Sequence, residues 1–159
     1  MRTLAMLLLT VGCGGVDAPE EMPDLAPVVV HNFAQINATV LGPSCTFSVC
    51  HSTRGSHDAD KLDLSQDAFS ALVNAPAQNK KALAENILRV KPCDPDHSFL
   101  ITKLEMSPSN NDSDSDYGAH MPLKNPSLPQ AQLQAVRDWV SRGAHLDEPE
   151  DVTGTTCTK

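Results

Sequence analysis

The chain has 159 residues, enough for one domain and little more, and its 40% hydrophobic and 20% charged residues exclude wholesale disorder, collagen-like repeats and a polytopic membrane protein. Its 20 acidic side chains outnumber its 12 basic ones, and the net charge of −8 argues against nucleic acid as a partner. Aromatic residues make up only 4%, so the interior must be filled by aliphatic side chains or by something that is not protein.

Residues 1–12 are a single Arg followed by an apolar run too short to cross a bilayer of about 30 Å, which predicts a signal peptide. The run ends in Leu9-Thr10-Val11-Gly12-Cys13, which resembles a bacterial lipobox with Thr10 where that motif prefers Leu. The resemblance implies that Cys13 is acylated, becomes the new N-terminus and anchors the protein to a lipid bilayer. The alternative is an ordinary secretory peptide cut near Gly12. Both predict export, to the bacterial periplasm or cell envelope. From 13 to 30 the lipidated Cys is followed by three Pro and four acids with no base, the composition of a disordered, self-repelling linker. The folded domain is expected over 31–148 and a short tail over 149–159.

Along the domain, Asn32 can cap a short helix with Phe33, Ile36 and Val40 on one face before Gly42-Pro43 stops it. Ser65 can cap a second, with Ala68, Phe69, Leu72 and Val73 at helical spacing, closed by Pro76. Between Gln78 and Val90, Leu83, Ile87 and Leu88 suggest one more helical face. Asp96 can cap a helix carrying Phe99, Leu100, Lys103 and Leu104 that ends before Pro108. The strongest pattern runs from Leu128 to Arg142, with Pro129 in the first turn, Leu133, Val136 and Val140 on one stripe beside Trp139, and Gly143 at the stop. No segment alternates with period two for long. The expectation is a small all-α bundle with long, Pro-punctuated loops.

Chemistry concentrates in Cys45-Thr46-Phe47-Ser48-Val49-Cys50-His51. A c-type haem needs two thiols close in the chain, to form thioethers with its vinyl groups, and an adjacent imidazole as proximal iron ligand. The usual gap between the thiols is two residues and here it is four; the wider gap lengthens the arch without moving His51 relative to Cys50. Three other readings compete: a local disulfide between Cys45 and Cys50, a zinc site with His51 and His57, and a nucleophilic Cys with His51 as base. Farther along, Tyr117-Gly118-Ala119-His120-Met121-Pro122 offers a sixth iron ligand, a Met121 thioether on a loop stiffened by proline. His120 is the alternative sixth ligand and Met106 a weaker one. The acids Asp112, Asp114 and Asp116 suggest a solvated loop rather than calcium, because Gly118 falls late for an EF-hand and no bidentate Glu closes the run. His31, His97 and His145 read as surface or capping residues.

In the order and spacing of these landmarks, from Cys45 to His51 through Leu62-Asp63-Leu64-Ser65, Val90 to Leu100, Met121-Pro122 and Val136 to Ala144, the chain resembles a class I cytochrome c domain of the exported planctomycete and myxobacterial type. The resemblance covers about residues 33 to 146. It implies a cytochrome c-like helical bundle with one covalent haem c, thioethers at Cys45 and Cys50, and iron held by His51 and Met121. Cys93 stands where relatives commonly have Gly. With Cys13 acylated and haem on Cys45 and Cys50, Cys93 and Cys157 remain; a disulfide between them uses both and would contribute about 4 kcal/mol if unstrained, the alternative being two unpaired thiols.

The resulting expectation is a membrane-tethered monohaem cytochrome that carries single electrons outside the cytoplasmic membrane, is not an enzyme, and meets basic redox partner proteins. The rival is a haem-free helical lipoprotein, with Cys45 and Cys50 disulfide-linked, acting as a binding or structural module. A haem enzyme with a labile Met121 is the third possibility.

Overall fold

The computed structural model describes residues 32–47, 50–55, 61–108, 115–147 and 157. The expected signal peptide, Cys13, the acidic linker, His31, His57, Asp112 and Asp114 lie outside them, as does all of the expected tail except Cys157. The described part is helical, with pairing between extended segments limited to three isolated bridges. No helix among these residues is long and apolar enough to cross a membrane.

The Asn32 side chain accepts from Gln35 N at 3.0 Å and caps α1 (Phe33–Ile36). The helix does not stop at Gly42-Pro43, where the sequence predicts its end. It widens into a π turn (Asn37–Leu41) and runs on as α2 (Gly42–Cys45), carrying the first thiol of the candidate site on its last residue. Two features let it pass the proline. Gly42 N–H reaches back to Asn37 O in the wider register. The carbonyl of Thr39, four residues before a proline that has no N–H to give, is served instead by Gln132 Nε2 at 3.1 Å. Phe33, Ile36, Val40, Leu41 and Cys45 are all buried on this stretch.

The closing helix α6 (Gln130–Ser141) packs against it, with Val136, Trp139 and Val140 fully buried. Phe33 sits between Phe69 and Trp139, ring centroids 5.3 and 5.5 Å away. Trp139 Nε1 donates to His145 O at 2.9 Å, and Phe33 N donates to the same oxygen at 3.1 Å. Pro129 takes the cap position rather than the first turn. At the other end Ala144 N bonds Trp139 O and Gly143 N bonds Val140 O, with Gly143 at φ +104°, a Schellman stop.

Between these two elements in the chain come three short helices. Asp67, not Ser65, caps α3 (Ala68–Leu72), accepting from Ser70 N at 3.1 Å, because the Ser65 hydroxyl is already committed to Asp63. α4 (Lys80–Ala84) is capped by Asn79 and buries Ala82, leaving Leu83 exposed. Ile87 and Leu88 do not continue that face: Val73 pairs with Val90, and Leu88 with both Pro76 and Ser98, so this stretch is extended. Asp96 lies in a 3-10 turn (Pro95–His97), and Ser98 holds the cap position of α5 (Phe99–Glu105), which buries Ile101 and Leu104 against α6.

Cys93 and Cys157, 64 positions apart, stand as a disulfide pair with Cα atoms 5.4 Å apart. Cys93 has φ +69°, the left-handed region that makes glycine the easy residue there, and its N–H bonds Val140 O at 2.9 Å.

A methyl group at Gly42 would stand 2.9 Å from the Asn37 carbonyl oxygen, backbone that cannot swing aside. Gly42→Ala is therefore expected to destabilise the protein by about 1 to 3 kcal/mol, read as a lower urea midpoint with unchanged slope.

Candidate functional site

The candidate site starts where α2 ends. Cys45 is buried, at 8% exposure, and belongs to the apolar core; Cys50 is half-buried. Neither is in a disulfide, although Cys93 and Cys157 in the same chain are paired. The backbone of the arch closes on itself, with Cys50 N bonding Phe47 O at 2.8 Å and His51 N bonding Cys45 O at 3.0 Å. This brings the residue after the second thiol back against the first. Phe47 is 55% exposed, so the chain reaches the surface two residues after a thiol that lies in the core.

Burial, helped by the neighbouring Cys50 thiol, pushes the Cys45 thiol up to about 11 from its usual value near 9. A thiol held protonated is a poor nucleophile at neutral pH, which disfavours the nucleophilic reading of Cys45.

His51 is held from two sides. Its ring Nδ1 stands 3.2 Å from Leu62 O, and its backbone carbonyl accepts from Leu64 N at 2.8 Å. Leu62 O can only accept, so Nδ1 carries a proton toward it, the backbone anchor that a metal-binding imidazole has on its non-ligating nitrogen. The 61–65 stretch is itself braced: Asp63 Oδ1 accepts from Ser65 N at 2.8 Å and Ser65 Oγ at 2.6 Å, while Thr53 N reaches Ser65 Oγ at 3.3 Å. The Ser65 hydroxyl and N–H hold the Asp63 carboxyl below its usual range.

Met121 is partly buried and packs on the same apolar core that contains Cys45. Its N–H donates to Lys103 O on α5 at 2.8 Å, and the Met121-Pro122 peptide is cis. His120 is buried, at 2%, and its Nε2 stands 2.9 Å from Asn125 O, so its ring is turned into its own loop. Met106 caps the end of α5, its N–H on Thr102 O. His97 is on the surface, bonded to Asp94 at 2.7 Å, and Asp116 is exposed and paired with Lys81 at 2.9 Å. His145 departs from the surface role expected of it: its Nε2 is buried without a hydrogen-bond partner among the described residues, under the open face of Gly143.

Two contributors escape a reading of the sequence. The Leu62 carbonyl is a backbone group and leaves no mark in a side-chain pattern. Lys103 registers there only as a position along its helix, although a Lys four residues after Phe99 and next to the core residue Leu104 is a signal that could have found it.

The donor set fits a c-type haem: two thiols not joined to each other, an imidazole directly after the second with Nδ1 tied to backbone, and a thioether on the same core. Among the described residues no three His, Cys, Asp or Glu side chains gather into a metal site, and His57, which the zinc alternative needs, lies outside them. No protein-family model, no curated protein and no solved structure matches the chain.

In haem-free protein the raised Cys45 value has a definite sign. Below pH 9 the thiol is protonated whether folded or not. Between 9 and about 11 the unfolded chain releases a proton that folded Cys45 retains, so stability falls as pH rises through that window. Urea midpoints at pH 8 and pH 10.5 should therefore differ more for the native sequence than for Cys45→Ala.

Proposed function

We propose that the protein is a monohaem c-type cytochrome, tethered to a membrane through Cys13, that carries single electrons outside the cytoplasmic membrane. The observation that carries this reading is the Cys45 to His51 segment: its two thiols stay unbonded while the other described cysteines pair, and Leu62 anchors the ring of the adjacent imidazole. A cofactor that consumes both thiols and takes an imidazole Nε2 accounts for all three features together.

Cys45 and Cys50 would hold the haem through thioethers, His51 would be the proximal ligand, and Met121 the sixth. When bound, haem supplies a one-electron ferric/ferrous couple. The chain's own contribution is to orient and to exclude. Leu62 O fixes the ring of His51 and, by accepting from Nδ1–H, makes Nε2 a stronger donor. Cys45 presents its sulfur from the apolar core, where low polarity favours the ferrous state. The Asn125 carbonyl engages His120, which supports Met121 as the ligand over its neighbour. The surplus of acids, net −8, suits basic redox partners, with association that weakens as salt rises. The haem-free alternative requires a Cys45–Cys50 crosslink, and no observation favours it over the electron carrier.

Protein produced in a host with cytochrome maturation genes should give a pyridine haemochrome spectrum with one haem per chain; colourless protein would overturn the proposal. In the loaded protein, Met121→Ala should abolish the thioether-to-iron absorption band and lower the potential, whereas an unchanged spectrum would move the sixth ligand to His120 or elsewhere. His51→Ala should leave little stable holoprotein.

A further inference from the structure

Lys103 gathers the loop that carries Met121. From α5 its ammonium donates to the carbonyls of Tyr117, at 2.9 Å, and Ala119, while its own carbonyl accepts the N–H of Met121 at 2.8 Å. Three bonds from one residue thus span the stretch from Tyr117 to Met121. The ring of Phe99, one turn earlier on α5, meets Tyr117 edge-on at 5.6 Å, and the ammonium lies 5.9 Å from the Phe99 ring centroid. The outer side of the same loop is tied to α4, with the Tyr117 hydroxyl on Glu85 and Asp116 paired with Lys81. Without the ammonium, the Tyr117 and Ala119 carbonyls lose their charged donor in a half-buried setting, where charge-assisted hydrogen bonds are stronger than neutral ones.

We propose that Lys103 is the positioning residue of the sixth ligand: its three bonds set the Tyr117 to Met121 loop in the conformation that keeps the Met121 sulfur on the iron. This rests on the reading of the chain as a c-type cytochrome. The residue does not touch the iron. It acts through the loop, so its loss should free the thioether while leaving haem attachment at Cys45 and Cys50, and ligation by His51, intact.

The test uses ferric holoprotein carrying Lys103→Met, which keeps an unbranched stem but has no donor, beside Lys103→Arg and the native sequence. Lys103→Met should lose most of the thioether-to-iron band, move its potential toward that of Met121→Ala, and bind cyanide at least about tenfold more tightly than the native protein. Lys103→Arg, which restores donors, should recover the band. A merely structural role would lower the unfolding midpoint but leave band, potential and cyanide affinity native in the folded state; that result overturns the proposal. If Lys103→Met accumulates too little holoprotein, Lys103→Leu, which also lacks a donor, is read by the same three signals. Native protein without haem would overturn both readings, whereas native protein with haem and a thioether band, unchanged in the Lys103 variants, would overturn this one alone.

Discussion

The carbonyl oxygen of His145 accepts two hydrogen bonds, from the Trp139 indole at 2.9 Å and from the Phe33 backbone at 3.1 Å, and in doing so joins the two ends of the domain. One donor belongs to α6 and the other opens α1, so the first helix cannot shift along the last without breaking a partly buried bond. The indole also packs against the Phe33 ring, making the junction both polar and apolar. Its consequence is positional. The helical run that begins at Phe33 ends at Cys45, and the segment that ends α6 receives Cys93 through Val140 O. The candidate site and the disulfide pair are thus referred to the same pair of packed helices.

That dependence explains why Cys45 is buried while Phe47, two residues on, reaches the surface. The helix delivers the first thiol into the core, and the short backbone bonds among Cys45, Phe47, Cys50 and His51 turn the chain outward. His51 then meets the 61–65 stretch, whose own conformation is held by Asp63 and Ser65. From the other direction α5 holds the Met121 loop through Lys103. Cys45 and Met121 come from distant parts of the chain and converge on one apolar cluster.

Much of this is readable from residue order, for local reasons. Asn32 ahead of Phe33, Ile36 and Val40 specifies a capped helix without help from elsewhere, and the Leu128 to Gly143 pattern carries both its stripe and its stop. Helical character is accordingly readable, and so is the grouping of Cys45, Cys50 and His51. The failures have non-local causes. Pro43 reads as a stop because nothing near it shows that Gln132, 93 positions beyond Thr39, will serve the orphaned Thr39 carbonyl. Ser65 and Asp67 are equally good caps by type; only the capture of Ser65 by Asp63 decides between them. Asp96 reads as a cap because its engagement by Arg137 is a tertiary event, and Leu83 reads as core because helical spacing does not reveal that α4 buries Ala82 instead. The Leu62 carbonyl behind His51 cannot be read from side chains at all.

The central claim is that the sulfurs of Cys45 and Cys50 are bonded to one porphyrin. The most direct measurement is the intact mass of the native protein under denaturing, non-reducing conditions, followed by peptide mapping. The account predicts a mass increased by one haem that survives denaturation and maps to the peptide containing Cys45, Cys50 and His51, with Cys93 linked to Cys157. A mass lacking haem and lower by two hydrogens at Cys45 and Cys50 would contradict it.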